Sequence, residues 1–182
     1  MALKATVFKF KLNISDLDRN VYDDFSLSLA RHPSETDARM MLRLAAFARH
    51  ADENLVFGRG ISTDDEPDLW QKDLTGAIEL WIDLGTPDPD RVRKACGRAQ
   101  DVVLYCYGER STKVWWEKNG AGFERFDNLS VYLIGDDDYD KLGKLAAGGS
   151  ALQCTLSGNE MWFTSDDESV SITATTLRSA TA

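Results

Sequence analysis

The stretch AIELWIDL, residues 77–84, carries the pattern that decides the fold. Its even-numbered positions are all apolar, whereas positions 79, 81 and 83 hold Glu79, Trp81 and Asp83. Successive side chains of a strand point to opposite faces. The alternation therefore predicts a strand with one core face and one face that presents carboxylates.

The chain after this strand predicts a parallel crossover, because a helical segment at 88–98 is followed by the apolar run at 102–107. The remaining elements predicted on this side are an edge or hairpin strand at 113–116, a strand region at 126–134, a helix at 136–147, and late β segments at 152–163 and 169–177.

The chain before this strand opens with two segments of period-two alternation, 4–14 and 21–29, which predict a hairpin. Ser34 is the expected N-cap of a helix of about four turns, with Glu35 and Asp37 as acids in its first turn. A short strand is expected within 54–60, followed by an acidic loop at 62–67 and a turn at 70–73.

Composition limits the classes of protein that the chain can belong to. A length of 182 residues fits one domain, and no apolar run is long enough to span a bilayer or to serve as a signal peptide. Cys96, Cys106 and Cys154 are odd in number and widely spaced, which favours a reducing cytoplasm. The net charge of -9 disfavours strong non-specific attraction to nucleic acid, so such binding would need a local basic patch.

Asp68 and Glu79 are the candidate ligands of a metal ion. Ten residues separate them, which is enough for a turn back into the sheet. Hard ions such as Mg²⁺ and Mn²⁺ take oxygen ligands and keep several waters, so two or three converging carboxylates suffice. Such an ion can polarise a phosphodiester and supply a hydroxide nucleophile.

Pro67-Asp68, followed by Glu79-Leu80-Trp81, resembles the PD-(D/E)xK signature of nuclease-fold proteins. The resemblance implies that the first long helix contributes a further acid. Glu35 is the candidate that the resemblance favours, and Asp37 is the candidate that helical periodicity favours. Trp81 stands where the signature has lysine, and tryptophan cannot activate a water.

Relatives with this fold can take the missing lysine from the helix after the strand. Lys94 is therefore the substitute candidate, and Lys72 ranks second.

Three longer strings resemble the YaeQ family, namely SLARHPSET at 28–36, STDDEPDLW at 62–70 and RKACGRA at 93–99. The resemblance implies an α/β protein with a mixed β-sheet flanked by helices. It also implies that residues 1–182 form a single domain with a PD-(D/E)xK nuclease-like core, an N-terminal hairpin and a C-terminal β extension.

Two functions follow as expectations. The first is a Mg- or Mn-dependent nuclease or phosphodiesterase, with Asp68, Glu79, Lys94 and Glu35 as catalytic residues and Asp37 as an alternative metal ligand. The second is a non-catalytic nuclease-fold protein that binds nucleic acid or a protein partner.

Arg91, Arg93 and Trp81 are the expected nucleic-acid contacts. The two arginines could equally belong to a solvated helix face, and Trp81 could either stack on a base or fill the space of the missing lysine.

Overall fold

The computed structural model describes residues 4–59, 65–148 and 150–181. They form two compact units, one from the described residues within 1–51 and 137–173 and the other from those within 52–136 and 174–182. The strands are β1 (Thr6–Asp16), β2 (Val21–Arg31), β3 (Leu55–Phe57), β4 (Leu69–Lys72), β5 (Ile78–Leu84), β6 (Ala99–Tyr107), β7 (Leu129–Ile134), β8 (Ala151–Ser157), β9 (Glu160–Thr164) and β10 (Ser169–Arg178). The helices are α1 (Asp37–Arg49), α2 (Pro89–Arg98), α3 (Glu109–Phe123) and α4 (Asp136–Leu145). The predicted mixed α/β class is confirmed, and the assignment of the chain to a single domain stays a prediction.

The first unit is built on the predicted N-terminal hairpin, which is confirmed. β1 pairs antiparallel with β2 and parallel with β8, and β9 and the first half of β10 continue the sheet as antiparallel neighbours. Alternate residues of β1, namely Phe10, Leu12 and Ile14, are buried. The ring of Phe47 on α1 meets that of Phe25 on β2 edge-on at 5.2 Å, so the helix covers this hairpin.

Helix α1 begins two residues later than a Ser34 cap would allow. Thr36 is the N-cap, and its side chain accepts a hydrogen bond from the backbone N–H of Arg39 at 3.1 Å. Ser34 instead contacts Nδ1 of His32 through its hydroxyl at 2.7 Å. Glu35 consequently lies outside the helix, whereas Asp37 is its first residue.

We expect Thr36→Ala to lower the free energy of unfolding by about 1 kcal/mol, because it removes the side-chain cap of α1. Ser34→Ala is the matched control and should change the free energy by less than about 0.5 kcal/mol, as expected away from such features. Urea unfolding followed by circular dichroism measures both values. A larger loss for Ser34→Ala than for Thr36→Ala would contradict the assignment of the cap.

The second unit is built around three parallel strands. β5, β6 and β7 are parallel neighbours, and α2 and α3 are the connections between them, so the predicted crossover is confirmed. β4 and β3 continue the sheet from β5 as antiparallel strands, and the second half of β10 pairs antiparallel with β7. Trp81, Val92 and Phe123 lie in the core cluster beneath these helices. Parallel strands are usually covered on both faces, and here Trp81 and Asp83 are buried although the alternation predicted an open face.

The predicted strand at 113–116 is wrong, because these residues lie within α3. Val114, Trp115 and Trp116 favour strands locally, but two parallel neighbours need a long crossover connection, which is usually a helix. The buried positions of α3 are Thr112, Gly120 and Phe123. Two of the three are not large apolar residues, which hides the helical period in the sequence.

The predicted turn at 70–73 is also shifted, because Leu69–Lys72 forms strand β4. The chain reverses between Asp73 and Ala77, where Gly76 has a φ of 87°. The Thr75 hydroxyl donates a hydrogen bond to the Asp73 carboxylate at 2.6 Å and holds the pKa of that carboxyl below its usual value. The turn brings β4 back against β5.

No helix in the described ranges is both long and apolar enough to cross a membrane.

Candidate functional site

The register between β4 and β5 decides which carboxylates meet. Leu69 pairs with Ile82, so the preceding residue, Asp68, lies opposite Asp83. Glu79 lies four residues before Asp83, which corresponds to about 13 Å along an extended strand. The ladder therefore separates Asp68 from Glu79 and places Asp68 beside Asp83.

Glu79 occupies an irregular position in this ladder. Gln71 pairs with Leu80, but the next pair is Lys72 with Ile78, which leaves Glu79 as the extra residue of a bulge. Its Oε2 accepts a hydrogen bond from Nε2 of Gln71 at 2.9 Å. The half-buried carboxylate is thus held by a neighbouring side chain of β4.

Asp68 is half-buried and lies just before β4. Its Oδ2 accepts a hydrogen bond from the backbone N–H of Leu84 at 2.9 Å. Gly58 lies against this segment, donating its N–H to the Asp68 carbonyl at 2.9 Å. A Cβ at position 58 would overlap the carbonyl oxygen of Pro67, so only glycine allows this close approach.

Asp83 is the buried acid at the centre of this region, with 4% of its surface exposed. Its Oδ2 accepts from Nε1 of Trp81 at 2.9 Å and from Nε of Arg91 at 3.0 Å. Nη2 of Arg91 donates to the other oxygen, Oδ1, at 3.2 Å. The Asp83 carboxylate therefore accepts hydrogen bonds from two nitrogens of the Arg91 guanidinium and from the indole N–H of Trp81.

Trp81 is buried, with only 2% of its surface exposed. The guanidinium carbons of Arg91 and Arg98 lie 5.7 Å and 5.1 Å from the centre of its ring, and the Trp70 ring meets it edge-on at 6.0 Å. Stacking on a base requires an open ring face. In this conformation Trp81 fills space within the core and supports the arginines.

Helix α2 brings the basic residues of the site together. Pro89 occupies its first position, and Asp88 caps it by accepting from the N–H of Asp90 at 2.8 Å. Arg93 and Lys94 are exposed and both pair with Asp90, at 2.6 Å and 3.2 Å.

A cavity of about 640 Å³ lies along this helix. It is lined by Asp65, Trp81, Asp88, Asp90, Arg91, Arg93, Lys94, Ala95, Gly97 and Arg98. The hydrogen bonds from Arg93 and Lys94 hold the pKa of the exposed Asp90 carboxyl below its usual value, so Asp90 is ionised at neutral pH. Four cations and three acids thus line one opening.

Lys72, the second-ranked lysine, lies on β4 rather than in a turn. Its Nζ sits 3.7 Å from the centre of the Trp70 ring. A lysine held in this way covers apolar surface with its stem and uses the ring face as a partner for its charge.

Glu35 and Asp37 belong to the first unit. Glu35 is buried, and its oxygens receive Nη2 and Nε of Arg43 at 2.6 Å and 3.1 Å and Nη1 of Arg39 at 2.8 Å. Asp37 is exposed and pairs with Nε of Arg31 at 3.4 Å. Two arginines already neutralise the Glu35 carboxylate, which opposes its use as a metal ligand.

The predicted Mg or Mn ligands of the second unit, Asp68 and Glu79, do not converge. No group of three or more His, Cys, Asp or Glu side chains able to hold a metal ion occurs in the described part of the chain. The carboxylates proposed as ligands receive hydrogen bonds from arginines, an amide side chain or the backbone. In this arrangement the carboxylate oxygens do not form a set of ligands that fits a divalent ion.

The cysteines offer no nucleophile at neutral pH. Burial raises the pKa of Cys96 to about 11 and that of Cys106 to about 12, and burial also raises the pKa of Cys154. A thiol is nucleophilic as its thiolate, so these side chains are inert.

The sequence places Asp83 on the carboxylate-bearing face of the strand and Arg98 on the basic face of the helix, but neither was predicted to be a site residue. Asp83 shares the odd-numbered face of residues 77–84 with Glu79 and Trp81, and that alternation was the available signal. Arg98 lies seven residues after Arg91, a spacing that returns to the same face of a helix. Only the tertiary structure shows which residues the side chains of Asp83 and Arg98 contact.

Comparison with known proteins gives a consistent result. Residues 1–174 match the family model described as YaeQ protein. The chain is 44% identical over 175 residues to the uncharacterized protein YaeQ of Escherichia coli K12, covering 96% of this chain and 97% of that protein. It is 45% identical over 163 residues to the Salmonella typhi counterpart, covering 90% of each.

Two solved structures share the fold. The YaeQ protein from Xanthomonas axonopodis pv. citri superimposes with a TM-score of 0.93 at 46% identity, covering 96% of this chain and 99% of that one. The YaeQ protein from Pseudomonas syringae gives a TM-score of 0.88 at 34% identity, covering 96% and 97%. The relatives are bacterial.

Proposed function

We propose that this chain, which belongs to the YaeQ family, is a cytoplasmic nuclease-fold protein that binds nucleic acid along α2 without needing hydrolysis for that role. The observation that carries the proposal is the grouping of Arg93, Lys94 and Arg98 around one cavity, with Arg91 beside them. Contacts from lysine and arginine to phosphates supply most of the affinity of proteins for nucleic acid.

The cations differ in how freely a phosphate could reach them. Arg93 and Lys94 have side chains 52% and 65% exposed, and both pair with Asp90. Exposed ion pairs contribute only about 0–1 kcal/mol, so a phosphate can replace Asp90 at small cost. Arg91 is less exposed, at 27%, and is held by Asp83.

The nuclease-like core also belongs to the proposal. Pro67-Asp68 precedes β4, Glu79 lies on the antiparallel partner β5, and a parallel crossover through α2 follows. This arrangement supports the core that the PD-(D/E)xK signature implies. The signature's lysine position is filled by the buried Trp81, which favours binding over catalysis.

The affinity should be modest and sensitive to salt. The chain carries a net charge of -9, and the cavity also has acids, so attraction depends on a few local contacts. Three phosphate contacts to a single strand predict that log K falls with log salt with a slope of about -2. Affinity should then fall by more than ~10-fold between 50 and 200 mM KCl.

Fluorescence anisotropy of labelled 20-nucleotide DNA and RNA single strands tests the proposal. The variant Arg93→Gln/Lys94→Gln/Arg98→Gln should bind at least ~10-fold more weakly at 50 mM KCl and show a flatter salt dependence. Arg110→Gln/Lys113→Gln/Lys118→Gln on α3 removes the same charge and should keep wild-type binding. Equal losses in the two variants, or no wild-type binding at 50 mM KCl, would defeat the proposal.

A Mg- or Mn-dependent phosphodiesterase is the second candidate. It is favoured by the position of Asp68 opposite Asp83 and by Lys94 on the helix that follows β5. This candidate would require the Arg91 guanidinium to leave Asp83, so that Asp68 and an acid of β5 could hold an ion able to supply a hydroxide nucleophile, with Lys94 as the lysine that follows β5.

The second candidate predicts that the labelled strands shorten in 5 mM MnCl₂ and that Asp68→Ala abolishes the shortening. Circular dichroism should show that the Asp68→Ala variant remains folded. A wild-type protein that cleaves neither DNA nor RNA would exclude it.

A further inference from the structure

A buried carboxylate on β5 is paired with an arginine of α2. Asp83 is 4% exposed, and Arg91 reaches both of its oxygens with Nε at 3.0 Å and Nη2 at 3.2 Å. Two-point contacts between arginine and a carboxylate are among the strongest hydrogen-bonded ion pairs in proteins. A divalent ion at this carboxylate would therefore lie next to the positive charge of the Arg91 guanidinium, which repels it.

The Arg91 guanidinium also donates a hydrogen bond to a backbone carbonyl. Nη2 of Arg91 also donates to the Glu66 carbonyl at 2.9 Å, and this residue immediately precedes Pro67-Asp68. Arg91 therefore links the segment before β4 to the end of β5. Its backbone lies in the first turn of α2, which is anchored by the Asp88 cap.

A second carboxylate lies across the ladder from Asp83. The register places Asp68 opposite it, and Asp68 accepts the N–H of Leu84, the next residue of β5. Two neighbouring carboxylates in a partly buried position repel each other and need a compensating positive charge. Arg91 brings a positive charge to this position through its contacts with both oxygens of Asp83.

We infer that Arg91 takes the place of a divalent ion beside Asp68 and Asp83, so that Mg²⁺ or Mn²⁺ is excluded unless its guanidinium leaves Asp83. An ion bound by both carboxylates at about 2.1 Å would lie against the Arg91 guanidinium, which contacts both oxygens of Asp83, and Oδ2 already accepts hydrogen bonds from both Trp81 and Arg91. This role departs from the nucleic-acid contact predicted for Arg91 from the sequence, and it assigns the residue to the carboxylates instead. It does not rest on the proposed binding of nucleic acid.

Mn²⁺ titration followed by the electron paramagnetic resonance signal of the free ion tests this inference without nucleic acid. Wild-type protein should leave the signal of the free ion nearly unchanged up to about 1 mM MnCl₂. Arg91→Ala should bind one Mn²⁺ at least ten-fold more tightly than wild type, and Arg91→Ala/Asp83→Asn should lose that site. Arg93→Ala is the matched control and should behave as wild type.

Thermal unfolding gives a second measurement of the same effect. MnCl₂ at 5 mM should raise the Tm of Arg91→Ala and leave that of wild type unchanged, because a ligand stabilises only the state that it binds. If Arg91→Ala does not fold, Arg91→Gln keeps a donor of similar length without the charge and should likewise gain Mn²⁺ binding.

Mn²⁺ binding by wild type that is as tight as in the Arg91 variants would overturn the inference, and so would folded Arg91 variants that bind no Mn²⁺. Failure of the proposed function would instead appear in the anisotropy experiment, which contains no divalent ion.

Discussion

Arg43→Ala is expected to lower the free energy of unfolding by about 3–5 kcal/mol, because it leaves the Glu35 carboxylate buried without its two-point partner. The side chains of Glu35 and Arg43 are 2% and 6% exposed, and Nη2 of Arg43 also donates to the Ala30 carbonyl at 3.0 Å. Arg39 keeps one contact with Glu35, which places the expected value near the lower end of that range.

Urea unfolding at pH 7, followed by circular dichroism, measures the loss. Arg93→Ala is the matched control, since it breaks an exposed arginine–aspartate pair, and it should cost no more than about 1 kcal/mol. Similar losses for the two variants would show that the Glu35 pair is not effectively buried.

The same experiment bears on the catalytic role predicted for Glu35. If its main role is to pair with arginine, Glu35→Ala will destabilise the protein in buffer that contains EDTA. Its loss would then leave Arg43 buried without a carboxylate. Replacement of both partners by apolar residues, Glu35→Leu/Arg43→Met, should recover part of the stability lost in either single variant.

The second large effect is a loss of stability at acidic pH caused by His50. Burial, together with the positive charges of Arg49 and Arg19, lowers the pKa of His50 to about 3, well below its value of about 6.5 in an unfolded chain. The folded protein therefore favours the neutral ring. Its contribution to stability is complete above pH 6.5 and is lost progressively as the pH falls toward 3.

One proton taken up only by the unfolded chain lowers the free energy of unfolding by about 1.4 kcal/mol per pH unit. Between pH 6.5 and pH 4.5 we therefore expect a loss of about 2–3 kcal/mol from His50. His50→Gln should show a correspondingly flatter dependence over this interval, measured by urea unfolding at several pH values.

Protonation of Asp16 also changes the free energy of unfolding with pH, and its effect must be distinguished from that of His50. Burial raises the pKa of the Asp16 carboxyl, but the hydrogen bonds and charge of Arg19 outweigh it and hold the pKa below its usual value. Its contribution is present above the unfolded value of 3.8 and is lost as the pH falls through the lower folded value, so it acts mainly below the interval used for His50. His32→Gln reports the effect of removing an exposed histidine, and an identical pH dependence in wild type and His50→Gln would contradict the prediction.

The parts of the fold predicted correctly from sequence share a clear local period. β1, β2 and β5 alternate every second residue, and α1 and α2 have helical spacing together with capping residues. Local patterns of this kind indicate whether a segment is a helix or a strand and which of its faces lies against the core. They failed for α3, where Trp115 and Trp116 favour a strand locally and the need for a crossover between parallel neighbours decides otherwise.

The site shows the same division. The sequence by itself determined that a carboxylate-bearing strand is followed by a helix with several cations, because alternation and helical spacing are local properties. Only the tertiary structure decided that Asp68 lies opposite Asp83 rather than Glu79, and that Arg91 fills the place expected for an ion. Strand register and ion pairing depend on residues distant in the chain, and a shift of one residue in the ladder would place Asp68 opposite an apolar residue, Ile82 or Leu84, instead of Asp83.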